Sequence, residues 1–144
     1  MSDAADRIAE IEARRAARKA MNEVAYQEQR AVDLERLDAL EVEHGDSNVA
    51  CVDIDYQGGS PTMAIVVAPN KTYVKRYQDR VRPKRDGRAG DPQAAAEELA
   101  TVCVCYPDKD VFEFMVDARP GLRVQCGLAA LRLAVGREQE LGKG

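Results

Sequence analysis

The sequence predicts an α+β fold: a small antiparallel β-hairpin packed on about four helices, with a long charged helix at the N-terminus. Three observations predict it. Residues 1–44 contain no Gly or Pro and are rich in the helix formers Ala, Glu and Arg. Residues 49–67 change to strand-like patterning around a Gly-Gly turn. Residues 70–136 are punctuated by Asn, Asp and Pro at positions that start and stop short helices. The whole chain has 144 residues, which suits one domain with an appendage. We divide it into an arm, 1–44, and a globular part, 45–144.

The arm carries 11 acidic and 7 basic residues, a net of −4. Asp3/Arg7 and Glu10/Arg14 place the acid four residues before the base, the order that supports a helix. A helix of this length extends roughly 60 Å, more than a domain of ~100 residues is wide, so part of it projects or packs on another chain. Its apolar residues Ile8, Ile11, Ala17, Met21, Val24, Ala31, Leu34, Leu37 and Leu40 hold no single heptad phase. They predict short patches that dock locally or on a partner, with a solvated, partly frayed arm as the alternative, and not a sustained coiled coil.

Gly45 is placed to end this helix. In Val49–Tyr56 the residues Ala50, Val52, Ile54 and Tyr56 alternate with Asp53 and Asp55, as in a half-buried strand. Gln57-Gly58-Gly59-Ser60-Pro61 reads as the turn, and Met63–Val67 as the second strand. The Gly pair lacks the Gly-Lys-Ser/Thr that a phosphate loop needs.

Residues 71–88 hold eight bases and two acids, a local net of +6. Asn70 is placed to cap a helix whose Tyr73, Val74, Tyr77 and Val81 share one face, and Pro83 stops it. Bases interleaved with Tyr suit nucleic acid or an acidic partner, including the acidic arm. A solvated helix with its tyrosines turned inward accounts for the same pattern. Asp91-Pro92 caps the next helix, which runs through Tyr106 and stops before Pro107. Asp108 caps KDVFEFMVDA, which places Val111, Phe112, Met115 and Val116 on or near one face. After Arg119-Pro120-Gly121 a last helix starts at Leu122 and ends at Gly136. It is apolar around much of its circumference, so it is central to the core or leaves one side for a partner.

Composition narrows the function classes. The chain is 45% hydrophobic and 32% charged, has 5% aromatic residues, and carries a net charge of −4, which argues against a nucleic-acid-coating protein. No apolar run approaches the ~20 residues of a membrane span, and the N-terminus lacks a signal-peptide pattern. The lone His44 lies among acids, and no carboxylate sits in a recognisable catalytic motif, so we expect no enzyme, cofactor or metal. Cys51, Cys103, Cys105 and Cys126 lie in apolar runs and read as free, mostly buried thiols in a reducing cytoplasm.

The run Leu99–Asp108 (LATVCVCYPD), a short helix with Phe112, then Arg119-Pro120-Gly121-Leu122 and a final Ala/Leu helix, resembles tail assembly chaperones of long-tailed bacteriophages and related gene-transfer particles. Upstream, MAIVVAPNKTYVKRYQDRV resembles their hairpin and short basic helix around a Tyr. Where that family commonly shows Arg-Arg-Pro-Thr, this chain has Val67-Ala68-Pro69-Asn70. The resemblance covers about residues 49–136. It implies a non-enzymatic assembly factor that holds a long helical tape-measure protein in the host cytoplasm. The surfaces expected to serve are Tyr73, Arg76, Tyr77 and Arg80 on the basic helix, and Leu122, Leu128 and Leu131 on the last one. Two alternatives stand beside it. One is a structural virion protein of the head, neck or decoration, whose arm contacts neighbouring subunits. The other is a small nucleic-acid-binding regulator using 71–88. The expected partner is a protein, a tape-measure or other virion subunit, and a homo-oligomer is open; no membrane is expected, and nucleic acid is disfavoured.

Overall fold

The computed structural model describes residues 3–55 and 58–143, with side chains through Gly136. Tyr56, placed above on the inner face of the first strand, lies outside the described residues. Helix α1 spans Asp3–His44, a 3-10 turn follows at Asp46–Asn48, and strands β1 (Val49–Asp53) and β2 (Met63–Val67) form the expected hairpin. Helices α2 (Lys71–Val81) and α3 (Pro92–Cys103), strand β3 (Val104–Tyr106), and helices α4 (Lys109–Ala118) and α5 (Leu122–Lys143) complete the order.

The local signals act where the sequence placed them. Gly45 adopts φ 92°, a region that L side chains rarely enter, and α1 ends there. The side chains of Asn70, Asp91 and Asp108 accept from the backbone N–H groups of Tyr73, Ala94 and Val111, capping α2, α3 and α4. Arg82, just before Pro83, caps the far end of α2. On α1, however, Arg7 donates to the Asp3 carbonyl at 3.4 Å, and neither Asp3/Arg7 nor Glu10/Arg14 forms an ion pair among the described residues.

Two expectations are corrected. The helix that starts at Pro92 stops at Cys103, and Val104–Tyr106 becomes a third strand antiparallel to β2. β2 exposes an unpaired backbone edge once β1 has taken the other, and β-branched Val104 with aromatic Tyr106 suits a strand better than a helix end. The sheet order is β1-β2-β3, which leaves β2 central. The last helix does not end at Gly136 but continues to Lys143. A Gly inside a helix costs about 1 kcal/mol, too little to stop one flanked by good helix formers.

The sheet is covered on both faces. Ala64 and Val66 of β2, with Ala50, Val52 and Ile54, face a core made by Leu99, Ala100, Phe112, Met115, Cys126 and Ala130. Met63 and Ile65 face the other way, onto Leu37 and Leu40 of α1. This explains why β2 is continuously apolar while β1 alternates. α3 and α5 form the most extensive helix pair, and α5 also lies on β1 and β2. Only the second half of α1 docks on the domain; residues 3–24 are exposed throughout. No helix among the described residues is long and apolar enough to cross a membrane.

Candidate functional site

Three surfaces emerge, each built by a different packing event. The first is where the arm meets the domain. Asp33, Leu37 and Leu40 follow one another at helical spacing on one face of α1. Leu40 enters the sheet core, while Asp33 is 0% exposed. Its carboxylate accepts from Thr62 N at 2.7 Å, Thr62 Oγ1 at 2.5 Å, Gln29 Nε2 at 2.9 Å and the Tyr106 hydroxyl at 2.5 Å. One side chain therefore ties α1 to the hairpin loop and to β3. Farther along, Arg30 Nη1 lies 2.9 Å from Asp53 Oδ1. Asp33 is not among the residues that the sequence singles out; its signal is an acid in phase with Leu37 and Leu40, an apolar pair of the arm that docks on the domain.

This junction carries a pH dependence. Burial alone raises the Asp33 carboxyl, but the hydrogen bonds from Thr62, Tyr106 and Gln29 outweigh it and hold the group below its ordinary value. Burial, then the Asp33 bond, raises the Tyr106 phenol well above its ordinary value. A depressed carboxyl contributes stability above its unfolded value, ~3.9, and loses it as pH falls through the folded value. A raised phenol contributes below its unfolded value, ~10, and loses it as pH rises further. Urea midpoints are therefore expected to be flat between about pH 5 and 8 and to fall on both sides, with the buried thiols of Cys103 and Cys126 adding to Tyr106 on the alkaline side. The advantage of the wild type over Asp33→Asn is expected to shrink toward acid; an advantage that grows there contradicts the assignment.

The second surface is a groove of about 520 Å³ where α2, α3 and the start of α5 meet. Tyr77, Ala96, Pro120, Val124 and Leu128 line it. It unites two of the residues expected to contact a partner, Tyr77 and Leu128. Tyr73 is half-buried against the core, and Arg76 lies over its ring at 5.5 Å from the centroid. Arg80 pairs with Glu98 of α3. Two of the expected residues are turned elsewhere. Leu122 is 3% exposed, inside the core, and Leu131 packs against that core from a half-buried position. Leu122 is therefore closed to a partner, whereas Leu131, like Leu128, is only half-buried.

The third surface lies on α4. Of the four residues grouped on one face, Phe112 and Met115 are buried and Val116 is half-buried, whereas Val111 is exposed. Phe114 is 73% exposed beside a groove of about 580 Å³ lined by Ile54, Gly58, Val111, Met115 and Ala118. Asp110 and Asp117 share its side of the helix. Phe114 was not singled out from the sequence, because the shared face of α4 was assigned from Val111 instead.

Elsewhere the chemistry is quiet. Burial pushes Cys103 up to about 12 and Cys126 up to about 11, so both stay thiols at neutral pH. Cys51 departs from the expected burial: α1 covers Val49 but not Cys51, two residues farther along the same face of β1. In the basic segment Arg80, Arg82 and Arg88 pair with Glu98, Asp79 and Asp86, which leaves fewer charges for phosphates than the sequence suggested. No ion pair among the described residues joins this segment to the arm. No protein-family model matches the chain, nor does any curated protein or solved structure.

Proposed function

We propose that this chain is a non-enzymatic assembly factor that receives the apolar face of a long helical partner, as the tail assembly chaperones it resembles do with a tape-measure protein. The observation that carries the reading is the meeting of Tyr77 and Leu128 in one groove. Its lining is mostly apolar, with Gln93 beside Ala96, Val124 and Leu128, and α2, which supplies Tyr77, is a basic helix. A partner helix with apolar residues at i, i+3 and i+7 and acidic flanks fits that chemistry.

The test is co-purification with a co-expressed tape-measure-type protein. The double variant Val124→Glu/Leu128→Glu is expected to weaken capture at least ~10-fold, as loss of a central apolar contact does. Its circular dichroism and melting curve must stay close to those of the wild type. A folded variant that captures as well as the wild type sinks the groove as the binding site. The exposed first half of α1 favours a second reading, a structural virion protein that lashes over its neighbours. Peptide mapping of purified particles separates the two, because a transient holder is absent from them.

A further inference from the structure

We infer that the free arm of one copy docks on the α4 face of a second copy, so that the chain self-associates head to tail. The arm supplies one half of the contact. Ile11, Arg14, Ala17, Arg18 and Met21 line a shallow dimple on α1. At 100° per residue this stripe sits roughly a third of a turn from the Asp33–Leu40 face that docks on the chain's own domain. Met21 is 72% exposed, and Ile11 is exposed as well. The stripe thus joins apolar and basic side chains and is exposed, with Arg18 also at the edge of the cleft that faces the chain's own Asp53 and Asp55.

The α4 face supplies the complement. Asp110, Phe114 and Asp117 follow at i, i+4 and i+7, a ring between two carboxylates. Ile11 to Met21 extends ~15 Å along α1, and the whole of α4 extends about the same. Ala17 leaves room for the Phe114 ring, with Arg14 and Arg18, one turn apart beside it, to meet the acids and stack on the ring. None of Arg14, Arg18, Asp110 and Asp117 takes part in an ion pair among the described residues. The two faces are different patches of one chain, so the contact is heterologous. Repeated, it closes a ring or grows an open string. A single helix on a single face is a small interface, so association falls in the micromolar range and weakens with salt.

This face is separate from the Tyr77–Leu128 groove, so either proposal can fail alone. The experiment is sedimentation velocity of the full chain from ~10 to ~300 µM at low and high salt. Concentration-dependent assembly that salt weakens is expected. Arg14→Glu/Arg18→Glu and Asp110→Lys/Asp117→Lys are each expected to weaken it at least ~10-fold. An equimolar mixture of the two variants re-forms an interface, because the unchanged arm of one meets the unchanged α4 face of the other and the two reversed faces also match. The four substitutions in one chain restore assembly to within ~3-fold. Arg15→Glu/Lys19→Glu, on the face of α1 turned toward its own domain, leaves it unchanged. A monomer at every concentration overturns the inference. So does an Asp110→Lys/Asp117→Lys variant that assembles like the wild type, which points to arm-to-arm pairing.

Discussion

Gly127→Ala is expected to destabilise the chain by about 3 kcal/mol, the upper part of the range for overfilled cores. A Cβ at Gly127 would stand 2.0 Å from the Ala96 carbonyl oxygen and 2.7 Å from its carbon. Both are backbone atoms of α3, so no side chain can swing aside to make room. The close approach is built from small residues on both helices: Ala95, Ala96 and Ala100 on α3, and Cys126, Ala129, Ala130 and Ala134 on α5. Adding one methyl group forces the helix pair apart and loosens contacts along its length. For a domain of this size the melting temperature should fall by roughly 10 °C. Gly136→Ala is the control. It lies on the same helix with nothing within 4 Å of the added carbon. That change is expected to be neutral or to stabilise by up to ~1 kcal/mol, since Ala is the better helix former. A Gly127→Ala protein that melts with the wild type contradicts the packing of α3 on α5.

Asp33→Ala is expected to cost about 3 kcal/mol, because it removes a charged acceptor and leaves buried donors with no partner. The Thr62 amide and hydroxyl and the Tyr106 hydroxyl all lose their acceptor at once. Tyr106→Phe removes a single donor and should cost less, about 1–1.5 kcal/mol. The loss is also local. Asp33 connects α1 to two parts of the sheet region, so its removal should raise amide exchange in the second half of α1 more than in α5. Equal acceleration throughout indicates a loss of global stability alone. Urea unfolding of both variants gives the magnitudes, and exchange gives the location.

The two results concern features of different legibility. The caps at Asn70, Asp91 and Asp108 could be read from the sequence because a cap acts within three residues of itself. Gly45 and the β1–β2 pairing were readable for the same reason: each signal lies inside the element that it shapes. The strand at Val104–Tyr106 was not, since nothing near it in the chain announces that β2 has a free edge. Leu122 and Leu128 look alike on the last helix, yet one is in the core and the other lines a groove. Periodicity gives the faces of a helix but not which neighbour covers each face. Of the expected contact residues, Tyr77 and Leu128 converge because α3 brings α2 and α5 together, an event spread over fifty residues.

Short-range physics, acting over a turn or two of backbone, let the amino-acid sequence by itself determine the long charged helix, the hairpin, the helix starts and the aliphatic character of the interior. The tertiary structure alone decided that Asp33 fastens the arm, that Gly127 sets the approach of α3 to α5, that β3 exists, and that Phe114 is left uncovered. Each of these depends on which distant segment arrives beside the residue, and therefore on the burial and pairing that only the assembled chain creates.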